Sequence, residues 1–152
     1  MRVHIAADHA GYDLKSHLIQ WLGDNDHDVV DHGAFELDPD DDYPVFCISA
    51  AESVASDGEA IGVVIGGSGN GEQIAANKVP GIRAVLAWNV QTAELGREHN
   101  NANVVALGAR MHTEAEATAI IDGFVNAAWR GEERHQRRVA MLTHYESTGS
   151  VA

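Results

Sequence analysis

Residues Gly66-Gly67-Ser68-Gly69-Asn70-Gly71-Glu72 carry the strongest chemical signal in the chain. They follow the apolar run Ile61–Ile65 and lead into Ile74-Ala75-Ala76, a pattern of strand, glycine loop and short helix. In such a loop the backbone N–H groups stand open to an anion. The Gly-Lys-Ser/Thr of a P-loop is absent. The dinucleotide fingerprint also fails: Glu72 stands where a third Gly or Ala belongs, and no acid follows about twenty residues on, around Trp88-Asn89-Val90-Gln91. An ionised Glu72 would repel a phosphate held by this loop. The combination suits a different anion, the oxygen that turns negative when a neighbouring carbon is deprotonated, with Glu72 moving the proton.

Other polar groups cluster in the same way at the ends of apolar runs. Asp8-His9 closes Val3–Ala7, where Asp8 is also placed to cap a helix. His99, in Glu98-His99-Asn100-Asn101, falls near a helix C-terminus, where a charged imidazole is favoured. Arg110 follows a later strand. Arg134 and Arg138 are four apart and so share one face of the last helix, a spacing suited to clamping a phosphate. A metal centre is not indicated. The nine His, at 4, 9, 17, 27, 32, 99, 112, 135 and 144, include no His-x-x-x-His pair and have no Cys partner. The run Asp38-Pro39-Asp40-Asp41-Asp42 lacks EF-hand spacing and reads as a solvated turn. Ser68 is not in a nucleophile elbow, because Asn70 stands where the closing Gly is required.

The elements that must hold these groups alternate. Strands are expected at Val3–Ala7, Asp28–Asp31, Ile61–Ile65, Ala84–Ala87 and Val104–Leu107. Ala10, Leu14, Leu18, Trp21 and Leu22 line one face of a first helix. Pro44 opens a second, with Cys47, Ala50, Ala51 and Val54 as its apolar stripe and Cys47 inert in the core. A short helix runs through Ile74–Ala76, and another spans Val90–Glu98 behind an Asn89 cap. Thr113 and Glu116 make a capping box for a helix that turns Ala117, Ile120, Ile121, Phe124 and Ala128 inward. The last helix covers Glu132–Tyr145. The alternation predicts a parallel sheet with helices on both faces, in a single domain over residues 1–152. In such sheets ligands bind outside the carboxyl ends of the strands.

Composition narrows the partners. Ten Lys and Arg against twenty-three Asp and Glu leave a net charge of −13, which disfavours nucleic acid and anionic membrane surfaces. Residues 1–108 carry five basic and seventeen acidic side chains, whereas residues 109–152 carry five Arg and six acids. Local Arg in an acidic whole fits a small anionic substrate. No apolar segment reaches the length of a membrane span, the start shows no signal-peptide pattern, and the single Cys47 fits a reducing, cytoplasmic compartment.

Taken together, Asp8-His9-Ala10-Gly11, Gly66–Glu72 running into Ile74-Ala75-Ala76-Asn77-Lys78, and His99-Asn100-Asn101-Ala102-Asn103 resemble the ribose-5-phosphate isomerase B family, in particular its actinobacterial branch. The resemblance covers about residues 2–146. It implies a three-layer α/β/α Rossmann-like sandwich with a five-stranded parallel sheet, and a homodimer with sites at the interface. It also implies interconversion of D-ribose 5-phosphate and D-ribulose 5-phosphate without metal or organic cofactor. Under it, Glu72 carries the proton and His99, with Asp8, assists ring opening. Gly67, Ser68, Gly69, Asn70 and Gly71 face the oxyanion, Asn100 meets a sugar hydroxyl, and His9, Arg110, Arg134 and Arg138 hold the phosphate. Another branch of the family has a Cys base at the position of Gly66 and no acid at position 72. Here Gly66 cannot act and Glu72 can. Isomerisation of a six-carbon aldose phosphate, or a nucleotide-binding sensor role on the same architecture, remain as alternatives.

Overall fold

A computed structural model describes residues 1–151. Five strands, β1 (Arg2–Ala7), β2 (Asp28–Asp31), β3 (Ile61–Gly66), β4 (Ala84–Leu86) and β5 (Val104–Gly108), form one all-parallel sheet in the order β2-β1-β3-β5-β4. The helices are α1 (Tyr12–Asp24), α2 (Tyr43–Ser56), α3 (Asn70–Ala76), α4 (Val90–Asn100), α5 (Glu114–Asn126) and α6 (Glu133–Thr148).

Strand residues alternate between two cores because successive side chains leave opposite faces of a sheet. Val3, Ile5, Val63, Ile65, Val105 and Leu107 meet α1, α4 and α5 on one face. Ala6, Val64, Val104 and Ala106 meet α2 and α3 on the other. With both faces covered, the inner strands β3 and β5 are apolar throughout, and β1 is apolar apart from Arg2 and His4. The result is the expected three-layer sandwich. Among the described residues, no helix is long and apolar enough to cross a membrane.

Several boundaries shift from the sequence expectation, among them the end of α6 at Thr148 rather than Tyr145, and two of the shifts have clear local causes. A short 3-10 turn, His9–Gly11, precedes α1, because the Asp8 carboxylate caps the Ala10 and Gly11 amides. Helix α5 stops at Asn126, where Ala127 turns extended (φ −75°, ψ 145°), so Ala128 is exposed rather than inward. The predicted Asn89 cap is present, as a capping box with Thr92 that opens α4, and the predicted Thr113–Glu116 capping box opens α5.

The sheet order reverses between β1 and β3, which opens a crevice at their carboxyl ends. Ala7 lies beside Ile65, and Gly66 beside Gly108. The segments leaving β1, β3 and β5 therefore emerge side by side. Helix α6 is different: only His135 of it is buried, while Met141, Leu142 and Tyr145 are exposed.

Candidate active site

Asp8 stands at the crevice. Its Oδ1 accepts from the Ala10 amide at 2.9 Å and the Gly11 amide at 3.3 Å, and its own amide donates to the Ile65 carbonyl. The turn can lie this close only because residue 11 is Gly; a Cβ there would come within 2.7 Å of the Ile65 oxygen.

The glycine loop crosses the end of β3, and Gly69 enters α3 with φ +83°, a left-handed conformation that favours glycine. Glu72 falls in the first turn of α3 and is only 4% exposed. Its carboxyl fills the volume that a side chain at position 66 would need: a Cβ on Gly66 would overlap the Glu72 carboxyl oxygens. Burial pushes the Glu72 pKa above the usual carboxylate range and the Asp8 charge adds to this, while hydrogen bonds from the Glu72 and Gly69 amides oppose it. A carboxylate of raised basicity, held over backbone amides, is suited to taking a proton from carbon.

Arg110 is tied to the same loop. Ala109 donates to the Gly66 carbonyl at 2.8 Å and Arg110 to the Gly67 carbonyl at 3.1 Å. The guanidinium Nη1 lies 3.3 Å from where a Cβ of Gly67 would be. His9 sits across the crevice, with Nδ1 2.7 Å from Asp41 Oδ1. Ser68 accepts from the Asn70 amide and side chain. Asp8, His9, Gly67–Gly71, Glu72 and Arg110 thus form one group.

His99, Asn100, Arg134 and Arg138 form another, at the opposite end of the strands. Helix α4 starts beyond the carboxyl end of β4 and runs back, so its last turn reaches the amino ends of the strands. There Arg83, just before β4, donates from Nε to the Asn100 and Asn101 carbonyls, at 3.0 and 2.9 Å. Asn101 ends the helix at φ +47°, and the Asn103 carbonyl accepts from Gly62 at the start of β3. The His99 ring stacks on His135 of α6, with centroids 4.3 Å apart and planes 9° from parallel. Glu98 pairs with Arg130 at 2.7 Å. Arg134 and Arg138 flank His135 on the exposed α6. A strand of five or six residues separates the two groups, on the order of 15 Å along the sheet. Within one chain they do not meet.

Three contacting residues escaped the sequence reading. The Tyr43 ring lies against Gly71, where a Cβ would be 2.6 Å from a ring carbon and 2.9 Å from the hydroxyl. His135, one of nine histidines without metal spacing, stacks on His99. Asp41, assigned to a solvated turn, has a side chain only 6% exposed. Asp8, His9 and Asp41 bring one ligand atom each within 4.8 Å of one another. The donor set is already engaged: Asp8 Oδ1 holds two amides, and Asp41 Oδ1 holds the His9 amide and ring. No metal is assigned to it.

Fold and site define a class: a doubly wound α/β/α protein with two buried carboxyl groups, Asp8 and Glu72, at the switch point, beside a glycine loop and flanked by His and Arg. Residues 3–142 match the family described as Ribose/Galactose Isomerase. Ribose-5-phosphate isomerase B of Mycobacterium tuberculosis is 57% identical over 148 residues, covering 97% of this chain and 91% of that protein. The Escherichia coli enzyme of the same name is 36% identical over 145 residues, covering 95% and 96%. Among solved structures, ribose-5-phosphate isomerase B of Clostridium thermocellum superposes with a TM-score of 0.94 at 40% identity, covering 99% of this chain and 100% of that one. The Mycoplasma genitalium enzyme with bound ribulose-5-phosphate also gives 0.94, at 39% identity and 97% of both chains. The chain belongs to the ribose/galactose isomerase family.

Proposed function

We propose that this chain interconverts D-ribose 5-phosphate and D-ribulose 5-phosphate through a cis-enediolate. The observation that carries the reading is the Glu72 carboxyl, buried in the space left by Gly66 and raised in basicity. Once the sugar ring is open, Glu72 removes the C2 proton. The charge that develops on the C1 oxygen faces the amides of Gly67–Gly71 and Ser68, an arrangement that stabilises such an oxyanion strongly. Return of the proton to C1, with transfer of the O2 proton to O1, gives the ketose. His9 and Arg110 hold the phosphate. The ligand reported in the Mycoplasma genitalium relative is the product of this reaction.

Ring opening needs a proton on the ring oxygen, the role of His99 with Asp8. His99, Asn100, Arg134 and Arg138 are too far from Glu72 to serve it within one chain. The reading therefore includes a homodimer in which the partner supplies them, and a two-fold axis then makes two equivalent composite sites. The exposed, thinly packed α6 supports this assembly. A cytoplasmic location is consistent with a lone, buried free thiol at Cys47.

The test is an isomerisation assay with ribose 5-phosphate beside allose and galactose 6-phosphates. Turnover of the pentose above both hexoses is expected. Preference for a hexose phosphate would replace the substrate, and no turnover of any would overturn the reading.

A further inference from the structure

We propose that Asp41 is a positioning residue for anion binding: its carboxylate fixes the His9 ring and leaves Nε2 as the nitrogen that meets the substrate phosphate. This deepens the isomerase reading and rests on it for the identity of the anion.

The geometry is specific. Asp41 Oδ1 accepts twice from one residue, from the His9 backbone amide at 3.0 Å and from ring Nδ1 at 2.7 Å. The two contacts lock both the turn after β1 and the rotation of the imidazole about it. A carboxylate accepts but does not donate, so Nδ1 must carry the proton. The acidic run is otherwise solvent-facing: Asp38, Asp40 and Asp42 are exposed, whereas the Asp41 side chain is 6% exposed. Burying one carboxylate of an acidic loop costs free energy unless a cation or strong donors meet it. Its Oδ2 is buried without a hydrogen-bond partner, so His9 is the group that compensates it.

The charges around His9 set the sign. The hydrogen bond to Asp41 raises its pKa most; burial opposes this; the charges of Asp8 and Asp41 raise it further, and Arg110 lowers it. The ring therefore keeps its proton to a higher pH than an ordinary histidine, although Arg110 lies across the crevice. Within one chain two cations, one aromatic and one guanidinium, then face the phosphate dianion beside the partner's Arg134 and the partner's Arg138, while the net charge of the chain is −13. Without Asp41, burial and then Arg110 would lower the proton affinity of His9, and the site would lose positive charge in the neutral range.

Two substitutions separate this from a purely structural anchor. Asp41→Asn keeps an oxygen that accepts both N–H groups and removes the charge. The His9 ring signals, identified by their loss in His9→Gln, are followed by NMR against pH in the full-length free protein. A fall of about one pH unit in the His9 midpoint is expected, which is a tenfold change in its proton affinity. Binding of inorganic phosphate and of ribose 5-phosphate is then compared with wild type from pH 6 to 8. The ratio of variant to wild-type Kd should be near one at pH 6 and rise with pH towards about tenfold, the factor set by the shifted midpoint. KM should follow, with kcat little changed. In a His9→Gln background, Asp41→Asn should have no further effect on binding.

An unmoved His9 midpoint in Asp41→Asn, a loss of affinity independent of pH, or an equal loss in the His9→Gln background would each overturn the proposal. The midpoint and the phosphate titration need no turnover. An absence of isomerisation alongside a shifted His9 would therefore count against the substrate and leave the role of Asp41 standing.

Discussion

Replacing Glu72 by Gln keeps the side-chain shape and removes the proposed proton acceptor. Turnover should fall by at least ~10²-fold, while ribose 5-phosphate still binds by calorimetry. Because burial raises this carboxyl, the acid limb of kcat should lie above the ordinary glutamate range of about 4.3. The same shift has a stability consequence. A carboxyl raised in the folded state favours folding below its unfolded pKa and loses that contribution as pH rises through the folded value. Glu72→Gln, neutral at every pH, should therefore melt at or above wild type at pH 7, with the gap closing toward acid. A variant that melts lower at pH 7 than at pH 5, relative to wild type, would contradict this. Cys47 is a different case: burial pushes its thiol far up, so thiol alkylation of the native protein should leave activity intact.

Elements set how finely such side chains can be placed. Gly11→Ala would drive a methyl against the Ile65 backbone, which cannot move without disturbing β3. Overpacking of this kind costs about 1–3 kcal/mol, read as a lower urea midpoint, and should also reduce activity by shifting Asp8. The order of strands and helices was legible because apolar runs and 3.6-residue stripes are long-range patterns. The Asn89 and Thr113 caps were legible because capping is local chemistry. Asp41 was not, because a run of acids carries no mark of which one turns inward; that depends on where β1 ends in space. The end of α5 was misplaced because Ala128 fits the apolar stripe, although the backbone has already turned extended at Ala127. Glu72 and its glycine loop could be read as chemistry, but that Gly66 makes room for the carboxyl is visible only in three dimensions.

For the whole molecule, the two separated groups make a test of assembly. A Glu72→Gln chain and a His99→Ala chain should each be inactive. Under random reassortment half of the dimers are mixed, and each mixed dimer regains one intact site, so about a quarter of all sites should recover. If subunits demonstrably exchange and no activity returns, the composite site is wrong. The stacked His99 and His135 rings bear on the same face. Burial first, and then the charges of His99, Arg134 and Arg138, with Glu132 opposing, make His135 hold a proton less readily than an ordinary histidine.

Positions 66 and 72 compete for one volume, and this constrains the order in which a lineage could exchange its base. A cysteine introduced at Gly66 would meet the Glu72 carboxyl before it could reach substrate. Shortening Glu72 first would remove the proposed base before a cysteine stood ready to replace it. With Glu72 in the proposed role, each single step is expected to lose activity and the pair to regain it, which is reciprocal epistasis between the two forms. Gly66→Cys and Glu72→Ala should each be dead, and the double variant should exceed both in turnover. A functional intermediate on either route would show that the crevice can hold both groups at once.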